Sequence, residues 1–85
     1  MLRRKYMSVR DAVVDRFIEI CKQKNIKPNM LANLSGITPS TVYGILYDRR
    51  NATIVTIKKL CDGLDMTLSE FFSAPEFDNL EQEIE

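Results

Sequence analysis

Ser40, Tyr43, Gly44 and Tyr47 recur at relative positions i, i+3, i+4 and i+7, so on an α-helix they share one face. Hydroxyls give single hydrogen bonds and tyrosine rings give flat apolar area with a polar tip, so this stripe reads as a contact surface. Val42, Ile45 and Leu46 fall opposite it, on the side a core would take. Arg49, Arg50 and Asn51 follow after Asp48, a basic turn suited to holding an anion. Residues for bond-breaking chemistry are missing. The chain has no histidine, the usual general base, and Cys21 and Cys61 stand far apart without CxxC spacing. The three glycines are scattered and form no phosphate-binding loop. We therefore expect no catalytic residue, no metal ligand and no cofactor, with both cysteines as reduced thiols in the core.

The formal net charge is +0 over 85 residues, but the two signs are segregated. All 12 Lys and Arg lie at or before Lys59, whereas Glu76, Asp78, Glu81, Glu83 and Glu85 occupy the last ten residues. Residues 1 to 75 carry 12 basic and 7 acidic side chains, net +5, enough to track phosphates. One domain fits this length, and a hydrophobic fraction of 45% is ample for its core. No apolar stretch approaches the roughly 20 residues of a membrane span, so a cytoplasmic location without membrane contact is expected.

Capping and periodicity place the elements that must position these residues. Ser8 opens a helix over Val9 to Lys24, with Asp11 in the capping-box position and Val9, Val13, Phe17, Ile20 and Cys21 at helical spacing. Pro28 starts a second helix with Leu31, Ala32 and Leu34 on its apolar side, and Gly36 ends it in the left-handed conformation. Thr38 and Pro39 open the third. Thr53 caps a fourth whose core stripe is Ile54, Ile57, Leu60, Cys61 and Leu64. The capping box Thr67-Leu68-Ser69-Glu70 opens a fifth, with Phe71 and Phe72, and Pro75 ends it. Phe77, Leu80 and Ile84 have the spacing of a short amphipathic helix, marginal by itself. Three segments result: a basic arm over 1–8, a helical domain over 9–74 and an acidic tail over 75–85.

From about Val13 to Phe72 the chain resembles the helix-turn-helix of the phage repressor and Cro family, also called the XRE family. Leu31-Ala32, Ser35-Gly36-Ile37-Thr38, and Leu60 with Leu64, Leu68 and Phe71 carry the resemblance. It implies an all-α, five-helix, lambda-repressor-like DNA-binding domain with the helix-turn-helix at helices 2 and 3. Base-reading positions of the family match Pro39, Ser40, Thr41, Tyr43 and Gly44, so Thr38, Ser40, Thr41, Tyr43, Gly44 and Tyr47 are the expected DNA-facing residues. Asn29, at the start of helix 2, and Arg49, Arg50 and Asn51 are the expected phosphate contacts. The stripe holds no arginine, asparagine or glutamine, the strongest bidentate base readers.

Three departures stand out. The family commonly buries an arginine of helix 1 against a glutamate of helix 3, and the matching positions are Cys21 and Leu46. Losing both charges together avoids the ~3–5 kcal/mol cost of stranding one, and predicts that Cys21 and Leu46 pack near each other. Pro28 replaces a phosphate-anchoring glutamine, leaving Asn29 or Lys27 as substitute. Asp48 replaces a glycine after helix 3.

The resemblance implies a sequence-specific double-stranded DNA-binding transcriptional regulator, most often a repressor. It would bind as a homodimer on half-sites about 34 Å apart, with Phe72, Phe77, Leu80 and Ile84 as the expected seam. The basic arm is either a solvated tail or an arm reaching DNA. The alternative is a protein-interaction module, such as an antitoxin or a helix-turn-helix with little DNA binding, whose acidic tail docks a partner.

Overall fold

The computed structural model describes residues 6–84. Five helices follow in order: α1 (Val9–Lys24), α2 (Pro28–Ser35), α3 (Pro39–Leu46), α4 (Ile54–Gly63) and α5 (Leu68–Phe71). A 3-10 turn over Pro75–Asp78 comes after them. Among the described residues there is no strand, only an isolated parallel bridge between Met7 and Leu80. The basic arm expected over 1–8 lies mostly outside the described residues.

Four of the five helices start where a side chain accepts from a free N–H group, and α2 starts at Pro28, which has no N–H to satisfy. Ser8, Thr38, Thr53 and Thr67 accept from the backbone N–H of Asp11, Thr41, Thr56 and Glu70. The box at Thr67 is complete, because Glu70 Oε1 also accepts from Thr67 N at 2.8 Å. At Ser8 only half of the expected box forms, since the Asp11 carboxylate turns to Arg49. Left-handed residues end α1 and α2: Asn25 at φ 55° and Gly36 at φ 65°.

One core joins the helices, with Phe17, Leu31, Val42, Leu60, Leu64 and Phe71 almost wholly enclosed. Cys21 and Leu46 are both buried in it and share the wall of one groove. α2 packs chiefly on α4 and α3. Its crossing with α4 is tight at Gly63, where an added Cβ would lie 2.2 Å from Ser35 Oγ. Expected in the core stripe, Ile54 is instead 58% exposed. As the first residue of α4 it sits past the packed helices, on a shallow groove with Val9, Val13 and Phe72.

The C-terminal segment also departs from expectation. Instead of a short amphipathic helix, Pro75 opens a 3-10 turn, and Phe77 packs on Phe71 and Phe72 at ring distances of 5.8 and 5.0 Å. Glu81 N then donates to Met7 O at 3.1 Å. So brief a segment gains more by docking its aromatic on an existing core than by closing an isolated helix. Phe72 and Phe77 of the expected seam thereby pack on the protomer's own core and Leu80 is bridged through its backbone to Met7, while Ile84 stays 81% exposed.

Candidate nucleic-acid interface

The exposed end of α3 is a cluster of hydroxyls. Thr38 Oγ1 lies 2.9 Å from Thr41 Oγ1 and 3.3 Å from Ser40 Oγ. They satisfy one another while solvated, and each can exchange that partner for an anion or a base edge. One turn on, Tyr43 and Tyr47 stack with ring centroids 5.4 Å apart, and Tyr47 is 64% exposed. The start of α2 lies beside them, because Lys27, Pro28 and Asn29 line a groove with Tyr43 and Tyr47. Lys27 gives α2 no side-chain cap, so its first turn keeps unmatched N–H groups at its positive end. On the other flank, Thr41, Arg50 and Asn51 line a common groove. Asn29, Thr38, Ser40, Thr41, Tyr43, Tyr47, Arg50 and Asn51 therefore form one band of surface.

Two expected members are placed differently. Gly44 is buried rather than on the outward stripe, because the Arg50 side chain lies over it, and a Cβ on Gly44 would meet Arg50 Cδ at 3.1 Å. The glycine makes a seat for Arg50. Arg49 turns away from the band toward α1: its Nη1 donates to Asp11 Oδ1 at 3.1 Å and its Nη2 to Asp15 Oδ1 at 2.8 Å. The hydrogen bonds to Asp15 and then Asp11 raise the pKa of its guanidinium. Arg50 stays exposed, with only a loose ion pair to Asp48 at 3.8 Å.

The turn at the unusual Asp48 puts its left-handed residue one place later, at Arg49 with φ 53°. Gly44 O there accepts from Asp48 N at 3.2 Å and Arg50 N at 3.1 Å. Sequence reading missed Arg10, an exposed residue lining a groove with Arg50 and Asn51. It also missed Arg16, whose Nε and Nη2 donate to the carbonyls of Phe71 and Glu70 at 2.8 and 3.0 Å, closing the end of α5. Nothing in the periodicity singles out Arg10, since only the fold brings α1 to the turn after α3.

This helix-turn-helix geometry matches known proteins. Residues 16–76 fit the model of the Cro/C1-type HTH DNA-binding domain. The chain belongs to this family. The Cro/C1-type domain is 39% identical over 61 residues to the HTH-type transcriptional regulator PuuR of Escherichia coli (strain K12) and to that of Shigella flexneri. That alignment takes in 72% of this chain and 33% of each relative, so the chain spans about a third of their length. The Cro/C1-type domain also superposes on the crystal structure of the prophage Lp1 protein 11 with a TM-score of 0.74 at 29% identity, covering 87% of this chain and 99% of that one. It is an XRE-type, all-α, DNA-binding helix-turn-helix domain of the transcription-regulator class. Among the described residues, no helix is long and apolar enough to cross a membrane.

Proposed function

We propose that the protein is a sequence-specific transcriptional regulator, acting as a repressor by occupying its DNA site as a homodimer. α3 lies in the major groove, the open first turn of α2 holds a phosphate, and Arg50 with Asn51 holds the backbone on the other side. The observation that carries this reading is the band from Asn29 through the tyrosine stack to Arg50, whose two flanking grooves are lined by no acidic side chain. Ser40 and Thr41 supply single hydrogen bonds, while Tyr43 and Tyr47 give a flat surface for sugar, phosphate or a thymine methyl. Backbone contacts and DNA shape therefore carry much of the recognition.

The twofold partner is a second copy. Its contact draws on Ile54 and Val55 at the start of α4, exposed at 58% and 61%, rather than on Phe72, Phe77 and Leu80. The packing of Phe77 on the core takes up one of the three apolar side chains that a partner-docking tail would have offered.

A salt titration on a duplex selected from a random pool tests the DNA reading. Affinity should fall steeply with salt, and Arg50→Ala should reduce the slope of log K against log salt by about one. Salt-independent binding would refute it.

A further inference from the structure

We propose that Arg49 is a positioning residue: it ties the turn after α3 to α1, so that Arg50 and the exposed face of α3 are presented to DNA, and makes no phosphate contact of its own. This rests on the DNA-binding reading above. Asp11 and Asp15 stand one helical turn apart on α1, and the guanidinium spans them, Nη1 on one and Nη2 on the other at 3.1 and 2.8 Å. The planar fork of arginine suits such a double grip.

The backbone at the same residue is in the left-handed region, φ 53°, which a side chain with a Cβ disfavours. That conformation carries Arg50 N back to Gly44 O at 3.1 Å and drapes the Arg50 stem over Gly44. The grip on α1 and the seat of Arg50 are thus two ends of one turn. The grip also offsets one of the two negative charges that Asp11 and Asp15 place on α1.

The decisive variant is Asp11→Asn with Asp15→Asn, which releases Arg49 yet removes two negative charges. If Arg49 were a phosphate contact held in reserve, this variant would bind the selected duplex as well as the wild type or better. Positioning has the opposite sign: affinity falls several-fold despite the more favourable charge, and the amide resonances of Asp48 to Asn51 shift in the free protein. Arg49→Ala should lower affinity several-fold while leaving the salt slope unchanged, in contrast to the drop of about one for a phosphate contact. In thermal unfolding without DNA, Arg49→Ala and Asp15→Asn should be non-additive. Tighter binding by the double Asn variant, a slope reduced by about one in Arg49→Ala, or additive unfolding shifts would each overturn the proposal while leaving the DNA reading intact. Absence of salt-dependent binding by the wild type overturns the DNA reading instead, and the role of Arg49 in presentation with it, whereas the unfolding cycle still reports the clamp.

Discussion

Gly44 and Gly63 show how single residues set what the surface offers. At Gly63 a methyl group would lie 2.2 Å from Ser35 Oγ and 3.0 Å from the α2 backbone, so the hydroxyl must rotate away and the backbone contact stays tight. Gly63→Ala should therefore destabilise the domain by ~1–3 kcal/mol in chemical denaturation, despite the gain in helix propensity. At Gly44 the obstacle is the flexible Arg50 stem. Gly44→Ala should leave stability unchanged or improve it by up to ~1 kcal/mol, yet weaken DNA binding by displacing Arg50, a split that melting and binding measurements on one variant will read. The cysteines belong to this scale too: burial pushes the thiols of both Cys21 and Cys61 up. Alkylation at neutral pH should be slow in the native protein and fast in denaturant. Residue types and spacing were enough to name most of the exposed band, because periodicity reports which face of α3 is polar. They could not reveal that Arg49 turns to α1 or that Arg50 fills the space over Gly44. Both follow from which element lies alongside, and Asp11 and Asp15 are 38 and 34 residues away in sequence.

At the scale of elements, helix starts were the most legible feature, since four of the five depend on a side chain within three residues of the N–H it satisfies and α2 opens on Pro28. α1 begins at Val9, α3 at Pro39 and α4 at Ile54, as the caps Ser8, Thr38 and Thr53 predict. The segment after Pro75 was less legible, because Phe77 is placed by the rings of Phe71 and Phe72 and not by its neighbours in sequence. The Thr67–Glu70 box gives α5 a pH dependence of known sign. Hydrogen bonds from Thr67 lower the Glu70 pKa from its ordinary 4.5. A carboxylate lowered in the folded state stabilises above its unfolded pKa and loses that contribution as pH falls through the folded value. Between pH 6 and pH 3 the wild type should thus lose more melting temperature than Glu70→Gln, and equal losses would remove this role from the box.

For the whole molecule, the C-terminal segment carries five acids and no base, and it folds back along Met7 to Val9, while all the basic residues lie before it. Truncation after Ala74 removes Phe77 from the aromatic cluster and should cost ~1–3 kcal/mol in denaturation, while leaving the α3 face unchanged. The self-association proposed through Ile54 and Val55 should weaken in Val55→Lys, seen as a lower mass in sedimentation, and Phe77→Ala should not reproduce that loss. The central claim is that one continuous surface, from the start of α2 across α3 to the Arg50 turn, meets DNA. Titrating a labelled sample with the selected duplex and mapping backbone amide shifts tests it most directly. Saturable changes at Asn29, Ser40 to Tyr47, Arg50 and Asn51, with the amides of Phe77 to Ile84 unmoved, are the predicted result. Shifts concentrated in the C-terminal segment or along α5, with α3 silent, would contradict it.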